Sequence, residues 1–359
     1  MGKSLFRIDF GLLLPALILA FFGLSGILSL STDLFKSQIV FLVISLIAYL
    51  IFSQINYQSM KTLMIPIYIT SIILLGILLL IGIESRGSVR WVEFFGFRIQ
   101  ISEILKPFLA LSLSSFLMQR QIYSFKNFSS ILILTIPIFL LIFLQPDLGN
   151  ALIYLIAVLL VLFTFGFSLK YFVGLLFIAG LSLPILWNFL KEYQKQRILT
   201  FIQPGSDPLG TSYNAVQSII AVGSGAIFGK GYGQGTQSIL RFLPERHTDF
   251  IFATLSEELG FLGTLLIIVT FSFLLYRIFV ISRKTKDVFV KIFAICTFYL
   301  LSVQFFINSG MNIGIVPIVG VTLPFVSYGG SSLLSCFIIL GLLTSMNKGL
   351  SKKETLEIR

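Results

Sequence analysis

The chain of 359 residues has little charge, little cysteine and a single histidine. Only 11% of its residues are charged, whereas 56% are hydrophobic. A water-soluble domain carries roughly 25% charged residues, so this composition excludes soluble, disordered and nucleic-acid-binding proteins. Cys296 and Cys336 lie in apolar runs, which excludes a disulfide framework. With His247 as the sole histidine, an ordinary zinc site of histidines and cysteines is also excluded.

Long apolar runs dominate the chain instead. A helix needs about 20 mostly apolar residues to cross a bilayer, and ten stretches qualify. They cover approximately 10–30, 38–55, 62–83, 102–118, 129–145, 149–167, 170–190, 250–279, 289–307 and 327–346. We therefore predict an all-α polytopic membrane protein with about ten transmembrane helices, forming a single domain over residues 1–359.

The distribution of basic residues predicts the orientation in the membrane. The formal net charge is +11, and lysine and arginine concentrate on the cytoplasmic side of membrane proteins. With both termini placed in the cytoplasm, the inner side carries 15 basic and 4 acidic residues. The reverse orientation puts the larger positive total outside, so we expect both termini to be cytoplasmic.

Three segments on the outer side are long enough to carry a site. The largest, residues 191–249, connects the seventh and eighth predicted spans, and the others are 84–101 and 308–328. A long connection in a compact protein is usually functional or disordered. The large segment is rich in apolar residues and glycine, so we expect it to be ordered and the chemistry to lie on the outer face.

Two charged residues lie inside the fourth predicted span. Glu103 and Lys106 are three residues apart, share a helix face and can form an ion pair. Charges within a span are costly and mark either a structural pair or a polar cavity. Both alternatives stay open from the residues alone.

Asp249 stands where the eighth predicted span begins. An aspartate there can cap the helix by accepting backbone N–H bonds. It can also act as a general base, since partial desolvation raises the pKa of a carboxylate. The next two acids, Glu257 and Glu258, lie about 12 Å further along a continuous helix and therefore deeper in the membrane, where we expect structural pairing.

A glycine-rich stretch covers residues 223–236, with six glycines in 14 positions. It does not match a Walker A loop, because Gly231 follows Lys230 where serine or threonine is required. Its backbone amides, with Lys230 and Arg246, can bind a diphosphate, or the stretch is merely a flexible loop. Further outer cations form either a solvated charge run or contacts to an anionic partner: Arg86, Arg90, Arg98, Lys191, Lys195 and Arg197.

Several motifs together resemble those of the SEDS family (shape, elongation, division and sporulation). They extend over nearly the whole chain in the family's order. The matching segments are Gln145-Pro146-Asp147-Leu148-Gly149, Asp207-Pro208-Leu209-Gly210, Gly231-Tyr232-Gly233-Gln234-Gly235-Thr236-Gln237-Ser238, Phe242-Leu243-Pro244-Glu245-Arg246-His247-Thr248-Asp249, and Pro324-Phe325-Val326-Ser327-Tyr328-Gly329-Gly330-Ser331-Ser332. The Gly-Thr-Gln-Ser and Glu-Arg-His-Thr-Asp wording is closer to the elongation branch than to the division branch.

The resemblance implies a peptidoglycan glycosyltransferase of the cytoplasmic membrane. Such an enzyme polymerises lipid II at the outer face, releases undecaprenyl diphosphate and works with a class B penicillin-binding protein and other elongation-complex membrane proteins. The family's essential acid maps to Asp249, and its intramembrane glutamate and lysine map to Glu103 and Lys106. Asp147 joins these two as a substrate-binding candidate.

The chemistry of the transfer suggests roles for these residues. A carboxylate must take the proton of the attacking sugar hydroxyl, and cations must stabilise the departing diphosphate. We expect Asp249 to be the base, and Lys106, Arg197, Lys230 and Arg246 to contact phosphate. The sequence identifies no metal site and leaves open whether a divalent cation assists. A lipid flippase and a non-catalytic scaffold are the alternatives.

Overall fold

The computed structural model describes residues 8–85, 88–94, 97–119, 124–190, 192–203 and 212–357. Arg86, Lys191 and the motif at 207–210 lie outside these ranges. The described residues form fifteen helices and three strands: α1 Phe10–Leu30, α2 Thr32–Gln54, α3 Tyr57–Thr62, α4 Met64–Ile81, β1 Ile83–Ser85, β2 Ser88–Phe94, β3 Phe97–Gln100, α5 Ile101–Ile104, α6 Lys106–Met118, α7 Phe125–Leu144, α8 Leu148–Thr164, α9 Leu169–Phe189, α10 Glu192–Ile202, α11 Tyr213–Ser224, α12 Thr236–Ile239, α13 Ile251–Lys284, α14 Val288–Asn312 and α15 Gly330–Glu357.

The apolar helices correspond to the ten predicted spans. Within the described ranges, seven helices are long and apolar enough to cross a membrane, and three shorter ones are apolar, namely α6, α8 and α9. Many of their leucine, isoleucine and phenylalanine side chains are exposed on the outside of the bundle. Exposed apolar surface of this extent suits contact with lipid, so the prediction of a polytopic helical membrane protein is confirmed.

A small antiparallel sheet interrupts the otherwise helical architecture. Its strands lie in the order β1-β2-β3, with Trp91 opposite Gln100 across the second pair. The all-α prediction did not include this sheet. Residues 88–94 and 97–100 alternate between polar and apolar types over only a few positions, a pattern too short to distinguish a strand from an outer loop.

The helix predicted over 250–279 is two arms that reverse at Gly260. Gly260 has φ +67° and ψ −166°, a conformation outside the helical region that only glycine adopts readily. The hydroxyls of Ser256 and Thr264 are 3.1 Å apart, although eight residues of continuous helix would separate them by about 12 Å. The short arm, residues 251–259, therefore folds back against the long arm, residues 261–284.

Contacts with α1 show in which direction the short arm runs. A side chain at Gly26 would touch Ile251 and Leu255, and the Ser29 hydroxyl donates to Glu258 at 2.7 Å. The short arm therefore runs in the same direction as α1, from the predicted inner side outward. The expectation that Glu257 and Glu258 lie deeper than Asp249 is wrong, because the short arm runs outward from Asp249 and places them about 12 Å toward the outer side.

The segment that carries Asp249 lies below the outer ends of α1 and α2. Ser327 donates its hydroxyl hydrogen bond to the carbonyl of Thr248. Gln38 of α2 donates to the Ser327 carbonyl at 3.2 Å, about two turns inward from the turn at Ser31. Two helical turns correspond to about 11 Å, so the segment is recessed by roughly that depth.

Candidate active site

A polar cavity of about 620 Å³ lies at this recessed level. Five separate parts of the chain form its walls: α2, the β2–α5 region, α10, the segment before α13, and the segment leading into α15. The lining residues are Ser37, Phe41, Arg90, Trp91, Arg98, Gln100, Glu103, Arg197, Glu245, His247, Thr248, Asp249, Gly320, Thr322, Tyr328, Gly329, Gly330, Ser331 and Ser332. The cavity thus combines three arginines with three carboxylates and several hydroxyls.

Asp249 faces the cavity and does not cap α13. The N-cap residue of α13 is Phe250, and no side chain makes a capping hydrogen bond there. Burial and the nearby charge of Glu245 raise the pKa of the Asp249 carboxyl from 3.8 to about 6, against the lowering effects of Arg197, Arg90 and Thr248. A carboxylate with a pKa near 6 is ionised at neutral pH and still basic enough to accept a proton. Of the two alternatives for Asp249, the helix cap is not the arrangement seen in this structure.

Arg197 lies beside Asp249 across a glycine. A β-carbon added at Gly320 would be 3.3 Å from Asp249 Oδ2 and 3.9 Å from Arg197 Nη1. Gly320 has φ +72°, a left-handed conformation that suits glycine. The absence of a side chain here leaves room for a carboxylate, a guanidinium and a ligand in one place.

Glu103 and Lys106 form a buried ion pair at the side of the cavity. Their Nζ–Oε1 distance is 2.7 Å, and Lys106 Nζ also donates to Gln304 Oε1 at 2.8 Å. Gln304 in turn donates to the carbonyl and hydroxyl of Thr322 at 3.0 and 3.1 Å. Glu103 lines the cavity, whereas the structure places Lys106 behind it. The pair is therefore a buried, hydrogen-bonded unit of which only the glutamate contributes to the polar wall.

Asp147 lies behind the cavity wall. It is the N-cap of α8, is 1% exposed and accepts from Gln100 Nε2 at 2.7 Å and Asn150 Nδ2 at 2.9 Å. Its Oδ1 is 3.7 Å from Arg90 Nη1, and Arg90 itself lines the cavity. Asp147 is thus placed to orient two residues of the cavity wall, Arg90 and Gln100.

Lys230 is engaged away from the cavity. Its Nζ lies 2.8 Å from Glu257 Oε1 and 2.7 Å from Thr236 Oγ1. The backbone amides of Lys230 and Gly231 donate to the carbonyls of Glu257 and Glu258. The glycine-rich stretch therefore packs on the short arm of α13, and the structure does not bring Lys230 to Asp249 as the sequence suggested.

Arg246 is half-buried beside the site but does not line the cavity. Burial and the charge of Arg241 lower its pKa. Its Nε is buried without a hydrogen-bond partner among the described residues. The sequence suggested that Arg246 contacts phosphate, but its side chain is not among the residues that line the described cavity.

The structure adds residues that sequence reasoning did not select. Arg90 and Arg98 appeared only as outer cations, whereas both line the cavity. Trp91, Tyr328, Ser331 and Ser332 were not proposed for the site at all, although the last three belong to a recognised motif. Ser331 accepts from the Gln100 amide at 2.9 Å, and Ser332 pairs with Thr322 at 2.9 Å. Polar residues at the start of a long apolar run were the available signal.

Metal ligation has no support in the described ranges, where no group of three or more His, Cys, Asp and Glu residues could hold an ion. The cavity carboxylates are Glu103, Glu245 and Asp249, of which Glu245 lies close enough to Asp249 to raise its pKa.

Comparison with known proteins places this architecture in a family. A family model described as a cell cycle protein, FtsW/RodA/SpoVE, matches residues 8–352. Peptidoglycan glycosyltransferase MrdB of Escherichia coli K12 is 41% identical over 284 residues, covering 78% of this chain and 76% of MrdB. The probable peptidoglycan glycosyltransferase FtsW of Geobacter metallireducens is 31% identical over 363 residues, covering 96% of each chain.

Solved structures agree with these relatives. A chain of a peptidoglycan synthase complex that coordinates polymerization and crosslinking matches with a TM-score of 0.82 at 29% identity, covering 97% of this chain and 99% of that one. The rod shape determining protein RodA of Thermus thermophilus matches with a TM-score of 0.73 at 26% identity, covering 97% and 98%. The chain belongs to the FtsW, RodA and SpoVE family of cell cycle proteins.

Proposed function

We propose that this protein is a peptidoglycan glycosyltransferase that polymerises lipid II during cell elongation. The observation that carries the proposal is Asp249, a carboxylate with a pKa of about 6 that faces a recessed polar cavity together with three arginines. The named activities of MrdB and FtsW support the same reaction class.

The proposed transfer is an inversion at the anomeric carbon of the donor sugar. The 4-hydroxyl oxygen of the acceptor attacks C1, and its proton passes to Asp249. The bond between C1 and the phosphate oxygen breaks, and undecaprenyl diphosphate leaves with the electron pair. General-base catalysis of this kind contributes about 10²–10⁴-fold to the rate.

The arginines of the cavity suit the charge of the leaving group. Arg90, Arg98 and Arg197 line the same space as Asp249. Guanidinium groups form charge-assisted hydrogen bonds to phosphate oxygens and favour the developing negative charge. We therefore assign diphosphate binding first to Arg197, then to Arg90 and Arg98, with Glu103 and Lys106 maintaining the polar wall. Lys230, Arg246 and Asp147 would act on substrate only indirectly.

Several features support the proposed setting. The cavity is lined by residues from Ser37 to Ser332, which supports the proposal of a single domain over residues 1–359. The recess below the outer ends of α1 and α2 suits a substrate whose sugars and diphosphate sit at the outer leaflet. A bacterial cytoplasmic membrane and a class B penicillin-binding protein as crosslinking partner complete the proposal, since a matching solved structure is that of a synthase complex.

The test is polymerisation of purified lipid II by the protein in detergent with its transpeptidase partner. We expect glycan strands from the wild type and a loss of about 10²–10⁴-fold for Asp249→Asn. Glu192→Gln, at a side chain that is 80% exposed, is the control that keeps activity. A flippase would leave lipid II as monomers in every sample, and a scaffold would show no dependence on Asp249 in cells. Strand formation by Asp249→Asn at the wild-type rate contradicts the base role.

A further inference from the structure

Two buried asparagines of α14 hold the main chain of Asp249. Asn308 Nδ2 donates to the Asp249 carbonyl at 2.9 Å, and Asn312 Nδ2 donates to the same oxygen at 3.0 Å. Both asparagines are 0% exposed. They are four residues apart and therefore lie on one face of α14.

Each asparagine also joins Asp249 to a second element. Asn308 Nδ2 donates to the Val321 carbonyl at 2.6 Å, next to Gly320, which faces the Asp249 carboxylate. Asn312 Oδ1 accepts from the Ala253 amide at 3.1 Å, in the first turn of the short arm of α13. The two side chains thus connect the Asp249 backbone to the opposite cavity wall and to the helix that follows it.

The side-chain amide of Asn308 uses both of its donor hydrogens on the backbone around the cavity. Both of its N–H groups serve backbone carbonyls, whereas its Oδ1 is buried with no partner among the described residues. The two donated hydrogen bonds tie the Asp249 and Val321 carbonyls to one side chain, so Asn308 fixes the distance between these two parts of the backbone.

Asp249 could in principle adopt a second conformation, in which its carboxylate caps the start of α13. Aspartate just before a helix normally turns its carboxylate onto the first free N–H groups. In this structure α13 has no such side-chain cap, and the carboxylate of Asp249 faces the cavity. A carbonyl fixed by two amide donors restrains the rotation of the main chain that capping would need.

We propose that Asn308 and Asn312 are positioning residues that keep the Asp249 carboxylate in the cavity and away from the start of α13. The proposal rests on the proposed function, because it assigns a role in presenting the general base. Neither asparagine lines the cavity or contacts substrate in this scheme. Their effect passes through the Asp249 backbone.

Removal of the asparagines lets the Asp249 carboxylate turn onto the backbone N–H groups of α13, and this sets the direction in which the pH dependence of the rate changes. Backbone N–H bonds favour the ionised carboxylate and lower its pKa. Loss of the clamp therefore lowers the pKa of Asp249 from about 6. The acid limb of the rate profile, where activity rises as the base ionises, moves to lower pH, and the turnover number falls because the base is displaced.

The experiment compares Asn308→Ala and Asn312→Ala with Thr297→Val in the same synthase complex. Thr297 is a buried residue of the same helix whose hydroxyl has no partner among the described atoms, so it controls for disturbance of α14. We expect kcat to fall about 10–100-fold in the asparagine variants, KM to change less than about threefold, and the acid limb to move down by at least about half a pH unit. Thr297→Val keeps the wild-type profile.

The position of the acid limb does not depend on the amount of folded protein, so it stays informative where a variant folds poorly. Asn308→Ser, which removes less volume, is the second variant if an alanine form yields no protein. An unchanged kcat, or a reduced kcat with the limb still near the wild-type pH, overturns the positioning role. Failure of the proposed function is a different result, namely an Asp249→Asn protein that still polymerises.

Discussion

Asp249 and Glu257 are eight residues apart on the same stretch of chain, yet their carboxylates have opposite surroundings. Glu257 is 0% exposed and accepts five hydrogen bonds, from Lys230, Thr236, the Gln237 amide, and the amide and hydroxyl of Ser238. Asp249 is half-buried, lines a cavity and has its pKa raised to about 6. Glu257, with its five hydrogen bonds, holds the glycine-rich loop in place. Asp249, whose pKa is raised, keeps the basicity that the proposed proton transfer requires.

The largest expected effect is on stability, at Glu257. The Glu257→Gln variant leaves Lys230 without its anion and weakens several donors, so we expect a loss of about 3 kcal/mol in the free energy of unfolding. Thermal unfolding in detergent measures it. Glu192→Gln, in the exposed pair with Lys195, serves as control and should change stability by under about 1 kcal/mol. Equal effects of the two substitutions would contradict the anchoring role of Glu257.

At Asp249 we expect the opposite change in stability. Its raised pKa means that the folded state holds a proton more tightly than the unfolded state, so ionisation destabilises the fold as pH rises from about 4 to about 6. Asp249→Asn removes this cost and should stabilise the protein by about 1–3 kcal/mol at pH 7.

Unfolding measured against pH checks this sign. The advantage of the Asp249→Asn variant should disappear below about pH 4, where the wild-type carboxyl is protonated in both states. A variant that is less stable than the wild type at neutral pH would show that the Asp249 carboxylate is stabilising, as Glu257 is, and would erase the contrast between them.

Substitution of Gly320 tests whether activity requires the open space beside the Asp249 carboxylate. Gly320→Ala adds a β-carbon 3.3 Å from Asp249 Oδ2 at a residue with φ +72°. We expect an activity loss of about tenfold, together with about 1 kcal/mol of backbone strain. Gly233→Ala is the matched control, because Gly233 has φ +67° and nothing within 4 Å of an added β-carbon. Equal activity losses in the two variants would assign the effect to strain alone.

The smallest expected effects are opposite shifts in pH dependence. Arg197 lowers the pKa of Asp249 and Glu245 raises it. Arg197→Gln should therefore move the acid limb to higher pH and cost about fivefold in rate at pH 6, beyond any loss of phosphate binding, whereas Glu245→Gln should move the limb to lower pH.

Rate profiles against pH separate these variants. Lys195→Gln, two residues before Arg197 and outside the cavity wall, should leave the limb in place. A shift of the same sign for Arg197→Gln and Glu245→Gln would show that general disturbance of the cavity, rather than charge, controls the pKa.

Sequence reasoning predicted the local features correctly where apolar length or a motif carried the signal. The helices follow from apolar runs, and Asp249 follows from its place in a motif before such a run. Sequence reasoning did not predict the reversal of the chain at Gly260. This glycine lies within a continuous run of apolar and acidic residues, so nothing in the pattern indicated its positive φ or the folded-back arm. The ion pair of Lys230 with Glu257 was not predicted for a related reason, because Glu257 lies on the short arm, which runs outward instead of into the membrane.

The sequence by itself determined that this protein crosses the membrane many times, since 56% hydrophobic residues in long runs have no other stable environment. It also determined which acid precedes the eighth span. Only the tertiary structure decided the environment of that acid, because burial, the neighbouring charges of Glu245 and Arg197, and the bonds from Asn308 and Asn312 come from segments up to about 60 residues away. Hydropathy is a local property of the chain, whereas the environment of a carboxylate is set by whatever the fold brings around it.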